Sequence, residues 1–186
     1  SLNAAIKAGA DAVYFGVDNL NMRARASRTF KRKDVHRVAE TCRNADVHSY
    51  LALNTVIYDD ELILAREICD TALDAGIKAV IATDPAVIRY ADQIGLQVHM
   101  STQANISNIE AVKHYSRFAT VMVLARELTL QQINHICRQI DKQNITGPDN
   151  KPVRIELFVH GALCVSIAGK CYMSLAATNQ SANRGL

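Results

Sequence analysis

Glu156, His160, Cys164, Cys171 and Arg184 fall close together near the C-terminal end of this 186-residue chain. Two Cys separated by six residues can supply thiolates to a metal or an iron–sulfur cluster. Both kinds of centre need about four ligands, so two thiols cannot complete one. His160 could be a third ligand, or it could bond the nearby backbone. Cys164 with His160 could also act as a nucleophile and its base. Spacing alone leaves these readings open.

Other candidates lie further upstream. His99 stands at the end of an apolar run, before Ser101-Thr102-Gln103, where it reads as an acid/base group, a substrate contact or a structural His. Arg126-Glu127 is either an internal ion pair or a pair that presents one charge to a ligand. Arg23, Arg25, Arg28, Lys31, Arg32 and Lys33 crowd one segment with no acid among them. That segment is a solvated loop or a site for phosphate, carboxylate or RNA backbone. Cys42, Cys69 and Cys137 fall on the apolar faces of expected helices and read as small core hydrophobes.

The elements that must position these residues alternate. Ala12–Gly16, His48–Leu53, Lys78–Ala82, Leu96–Met100, Thr120–Leu124 and Val153–Val159 are expected strands. Each is short and apolar on both faces, as in a parallel sheet covered by helices. Helices are expected at 2–8, at about 32–45 on the spacing of Val35, Val38, Ala39 and Cys42, and after Asp60 with Ala65, Ile68, Cys69, Ala72 and Leu73 as its face. Asp84-Pro85 opens another and Gly95 ends it. Ser107 is expected to cap a helix carrying Ile109, Val112 and Tyr115. Thr129 and Gln132 form a capping box before Ile133, Ile136, Cys137 and Ile140. "Ala-Gly, two residues, Ala-Val" recurs at 8–13 and 75–80, marking a repeated helix–Gly–strand joint.

A (β/α) barrel and a doubly wound open sheet both fit this order. No G-x-G-x-x-G follows the first strand, which disfavours a dinucleotide-binding sheet. Polar residues gather just after the strands: Asp18, Asn21 and Arg23; Asn54; Asp84; Ser101, Thr102 and Gln103; Arg126 and Glu127; His160. In a barrel these share the C-terminal rim, where such folds place their sites. The expectation is therefore one TIM-like (β/α)-barrel domain over 1–186, with pieces missing.

Composition limits the alternatives. The longest apolar runs are far too short to span a membrane, and no signal peptide is visible. The chain opens on Ser rather than Met, as a truncated or processed end would. Five Cys, an odd number spread widely, point to free or metal-bound thiols in a reducing, cytoplasmic setting, and the net charge is +3. The charge is too small to indicate a nucleic-acid binder by itself. No Trp is present, which argues against an aromatic-stacking surface.

Glu156-x-Phe158-x-His160-Gly161-Ala162-Leu163-Cys164, followed by Cys171, resembles the signature of the collagenase-like peptidases, family 32 of the peptidases of unassigned catalytic type. Ala8 to Gly16, Asn54-Thr55, His99-x-Ser101-Thr102-Gln103, Leu124 to Leu128 and Ser181 to Gly185 are similar to further family blocks in the right order. The resemblance implies a TIM-like barrel whose first and last strands, with at least two more Cys, lie outside this sequence. It also implies two activities. Some members are labelled collagenase-like proteases. Others act in oxygen-independent hydroxylation of tRNA, rRNA or a ubiquinone precursor, with a [4Fe-4S] cluster and prephenate as a source of the hydroxyl group.

Carried over, Cys164 and Cys171 would be two cluster ligands. His99, Glu156, His160 and Arg126 match family positions as candidate catalytic groups. Arg23, Arg25, Asn54, Gln103 and Arg184 are candidate substrate contacts. No Ser-His-Asp order, nucleophile elbow or H-E-x-x-H helix is present. A lone Cys nucleophile also leaves Cys171 unexplained. The expected function is thus an iron–sulfur-dependent hydroxylase acting on tRNA, rRNA or a related acceptor. The alternatives are a peptide hydrolase and a non-catalytic RNA- or protein-binding barrel, and this stretch alone is expected to be inactive.

Overall fold

A computed structural model describes residues 2–22, 30–161 and 164–185. Six strands form one parallel sheet: β1 (Ala12–Gly16), β2 (His48–Leu53), β3 (Ala79–Ala82), β4 (Gln97–Met100), β5 (Ala119–Val123) and β6 (Arg154–Glu156). Their spatial order is their sequence order. A doubly wound sheet must reverse direction at a switch point, and this one never does. Successive right-handed crossovers in one direction leave all helices on the same side. The result is a half-barrel.

The helices are α1 (Leu2–Lys7), α2 (Val35–Arg43), α3 (Leu62–Asp74), α4 (Pro85–Gln93), α5 (Ile109–Tyr115), α6 (Leu130–Lys142) and α7 (Met173–Thr178). Phe15, Leu51, Val80, Val98 and Met122 point to the helix layer and are buried there with Val38, Cys42, Ile68, Cys69, Val87, Val112 and Ile136. Cys42 and Cys69 are core residues, while Cys137 is only half-buried. Burial pushes the Cys69 thiol up to about 12, so it stays protonated and inert.

The helix starts differ from expectation in two places. Asn108, not Ser107, caps α5, because its Oδ1 accepts from the Ala111 N–H at 2.9 Å. Asp60 does not cap α3: a 3₁₀ turn, Asp59–Glu61, leads into that helix, and Glu61 reaches back to the Tyr58 N–H at 2.9 Å. Leu73 leaves the expected apolar face and is exposed. Asp84 with Pro85, and Thr129 with Gln132, cap α4 and α6 as their sequences require.

The last strand is much shorter than Val153–Val159. Among the described residues, β6 pairs only with β5, so its outer edge lacks the second ladder that would keep it extended. Leu157, Phe158 and Val159 leave the sheet, and Val159 is 93% exposed.

Candidate functional site

Alternate residues of the same strands face the concave side. Across the sheet one level carries Gly16, Ala52, Ile81, His99, Val121 and Arg154 in register. Gly16 and Ala52 are small where β4 and β6 carry His99 and Arg154. That asymmetry opens a cavity of about 800 Å³ over the C-terminal ends of the strands. Its walls include Asn54, Gln103, Arg126, Glu156, His160 and Cys164. Six of the expected site residues thus converge on one concavity.

The wall on the β1 side is built by hydrogen bonds. Asn54 accepts from the Met22 N–H at 3.2 Å and donates to Ser101 Oγ at 3.3 Å, linking the loops after β1, β2 and β4. Asn21 is buried across the end of β1, and its Nδ2 donates to the Val17 carbonyl at 3.0 Å. A Cβ on Gly16 would overlap the Asn21 side chain, so a glycine is needed there. Gln103 follows Ser101 on a 3₁₀ turn, Thr102–Ala104, which Ser101 caps.

His99 lies beneath this wall, 3% exposed, with its ring 4.7 Å from that of Tyr50. Nδ1 has no hydrogen-bond partner among the described residues. Burial, then the positive charges of Arg154 and Lys78, push its pKa down to about 4. A neutral imidazole is therefore held at the floor of the half-barrel. Glu156 is still reached by solvent, but crowding in the concave wall pushes its carboxyl upward.

The two outer Cys sit on one loop. Cys164 is exposed and lines the cavity. The Ser166 N–H and the Arg126 guanidinium lower its thiol below the ordinary value. The Ser166 hydroxyl donates to Cys171 Sγ at 3.4 Å and is the main cause of the lowering there, aided by the amides of Met173 and Ser174 at the start of α7. Ser166 thus serves both sulfurs. Thiols lowered toward the thiolate, with N–H and O–H donors around them, suit metal and cluster ligation. Among the described residues no third His, Cys, Asp or Glu joins them in a metal-binding group. The donor set fits one half of a four-thiolate site.

The loop itself is clamped. Glu127 Oε1 accepts from the Ala168 N–H at 2.8 Å, and Ala168 is buried. Gly169 has φ of +73°, and a Cβ there would overlap the Gln103 carbonyl oxygen. Adjacent Arg126 and Glu127 therefore diverge rather than forming an internal ion pair: one goes to the Cys164 thiol, the other to the Cys-loop backbone.

Arg184 does not line the cavity. Its guanidinium forks onto both oxygens of Glu61, at 2.6 and 2.5 Å, and stacks over Tyr58. Arg23 and Arg25, with Arg28, lie outside the described residues. From the same basic segment, Lys31 is 3.8 Å from Asp18, and Arg32 pairs with Glu67. Sequence reasoning did not single out Tyr50, Arg154, Met22 or Ser166. Period-2 alternation places Tyr50 and Arg154 on the concave face, but Met22 and Ser166 act through loop backbone and carry no such signal.

The matches to known proteins are consistent with this architecture. Residues 1–186 match Peptidase family U32. The chain belongs to that family. It is 56% identical over 185 residues to a collagenase of Porphyromonas gingivalis, covering 100% of this chain and 45% of that protein. It is 37% identical over 182 residues to the 23S rRNA 5-hydroxycytidine C2501 synthase of Escherichia coli, covering 97% and 26%. Against tRNA hydroxylation protein P of Helicobacter pylori the identity is 31% over 187 residues, covering 99% and 42%. The chain thus spans less than half the length of these curated relatives. The solved structure of the U32 peptidase Mk0906 superposes with a TM-score of 0.60 at 16% identity, over 80% of this chain and 60% of that one. It supports the half-barrel as part of a TIM-like fold. Family U32 thus holds both collagenase-named and RNA-hydroxylation relatives of this chain. No helix among the described residues is long and apolar enough to cross a membrane.

Proposed function

We propose that this chain is the site-bearing part of an iron–sulfur-dependent, oxygen-independent hydroxylase of tRNA, rRNA or a related acceptor. The observation that carries the reading is the pair Cys164 and Cys171, both lowered toward thiolate and both served by Ser166, with Cys164 on the cavity wall. These two would hold one side of a [4Fe-4S] cluster, and further Cys of the whole protein would hold the other. Such a cluster supplies one-electron redox chemistry.

This chain's own residues bind and orient. Arg126 and His160 give the cavity wall hydrogen-bond donors suited to an anionic donor such as prephenate. Asn54 and Gln103 offer amide groups to the acceptor. Glu156, whose carboxyl is raised by its crowded setting, is the wall's candidate proton carrier. His99 contributes a neutral imidazole to the floor. The arginine-rich segment from Arg23 to Arg28 is positioned in sequence to meet RNA phosphates just after β1. Unpaired thiols at all five Cys suit a reducing compartment, and we assign the protein to the cytoplasm.

The test is iron. Full-length protein purified without oxygen should carry about four iron atoms, and Cys164→Ser or Cys171→Ser should each lower that content sharply. Protein with no iron, or iron unchanged in both variants, refutes the reading.

A peptidase is the second reading, favoured by one observation: Cys164 is a lowered thiol on the cavity wall that His160 also lines. It predicts peptide release from gelatin that Cys164→Ala abolishes. Release that survives this change eliminates Cys164 as the nucleophile.

A further inference from the structure

We infer that Glu61 is a positioning residue for the Cys171 thiol, acting through Arg184 and Asn183. Glu61 lies after β2, far from Cys171 in sequence, and touches neither sulfur. Its two carboxylate oxygens receive both arms of the Arg184 guanidinium, at 2.6 and 2.5 Å. Both side chains of this pair are only 19% exposed. Tyr58 closes one face of the guanidinium, its ring centroid 4.3 Å from Cζ.

The chain neighbour of Arg184 completes the link. Asn183 Oδ1 accepts from the Cys171 N–H at 3.4 Å, and Asn183 Nδ2 donates to the Cys171 carbonyl at 3.3 Å. One amide therefore holds both backbone polar groups of Cys171, as a strand partner would. The Asn183 carbonyl in turn accepts from the Val56 N–H at 3.5 Å. The receiving loop is rigid in its own right. Asp84 Oδ2 accepts from the Ile57 N–H at 3.0 Å while Asp84 Oδ1 caps α4.

A bidentate carboxylate–guanidinium pair is directional, so it fixes orientation as well as distance. Cys171 follows Gly169 and Lys170 on a loop with no sheet partner. Without the Asn183–Arg184–Glu61 chain, the Ser166 hydroxyl and the segment's own short helix are what remain, among the described residues, to define where its sulfur points. Cys164 needs no such tether, because Arg126 and Ser166 reach it directly.

The inference rests on Cys171 being a working thiol of the site, and its test needs no bound metal. The full chain is stripped with a chelator, kept reduced, and alkylated with iodoacetamide above pH 9, where ionisation no longer limits either thiol. Rates at Cys171 and Cys164 are read separately by peptide mass spectrometry. Glu61→Gln should raise the Cys171-to-Cys164 rate ratio at least three-fold, and Asn183→Ala should do the same, with the thermal transition still cooperative. A ratio unchanged in Glu61→Gln overturns the inference, whether or not Asn183→Ala changes it. So does equal acceleration of both thiols, which would mean general loosening of the loop. Iron content of the full-length protein tests the cluster reading separately, so either idea can fail without the other.

Discussion

The two faces of the sheet share every strand and differ in almost everything else. Leu51 and Ala52 are adjacent in β2. Leu51 is fully buried against the helices, while Ala52 faces the cavity. The helix side is apolar and close-packed, and its stability comes from buried area. The concave side combines small residues, a neutral buried His, and charged groups that solvent still reaches. One face stabilises the fold; the other leaves room for a ligand and accepts unsatisfied polar atoms to do so.

Truncation on the packed face is the strongest way to break this contrast. Leu51→Ala removes a fully buried side chain from the centre of the sheet. It should cost about 2–5 kcal/mol, since the surrounding layers cannot collapse onto the space. Chemical denaturation should show a lowered midpoint with little change in slope. A cost below about 1 kcal/mol would mean that the helix layer is not close-packed.

His99 gives the next effect, through pH. Its folded pKa of about 4 lies below the ordinary 6.5. Between these values the unfolded chain binds a proton that the folded chain does not. Stability should therefore fall as pH drops from 6.5 toward 4, by at most about 1.4 kcal/mol per pH unit from this group. Above 6.5 the His99 contribution is flat. His99→Gln, which cannot titrate, should remove that part of the slope. An unchanged slope in the variant would place a charged, solvated imidazole where the structure has a buried one.

The same contrast explains what could be read from sequence. β1 and β2 fall on their expected residues, and β3, β4 and β5 shift by no more than one residue at an end. Their apolar runs are short and nearly uninterrupted, as is usual for parallel strands, so composition alone locates them. Alternation alone does not give the strand order, because both winding patterns share it; the polar residues after the strands and the missing G-x-G-x-x-G favour the barrel, and the sheet follows that order. The end of β6 was not legible: Leu157 to Val159 have strand-like side chains, but ladder formation depends on a neighbour, which is not a local property. At the site, His99, Asn54, Gln103, Arg126, Glu156, His160 and Cys164 could be placed because chemistry-bearing residues follow strand ends. Arg184 could not, since an arginine after a Cys loop looks the same whether it meets a ligand or Glu61. Backbone contacts of Met22, Ala168 and Asn183 depend on loop geometry that residue type does not encode.

The smallest expected effect on stability gives the sharpest comparison. Ala52→Leu adds to the concave face the same side chain that Leu51 places on the other. Ala52 is 8% exposed, with cavity in front of it rather than a facing helix. The larger side chain can extend into that space without displacing packed neighbours, so stability should change by less than about 1 kcal/mol. Binding should respond far more strongly, because the new side chain occupies the region that Gly16 and Ala52 keep open between Asn54 and Glu156. Titrating small anionic ligands such as prephenate, followed by amide shifts of Ser101 and Gln103, should show saturation in the parent chain and at least ten-fold weaker binding in the variant. If Ala52→Leu instead costs as much stability as Leu51→Ala, then the two faces are equally packed and the cavity is not the feature that distinguishes them.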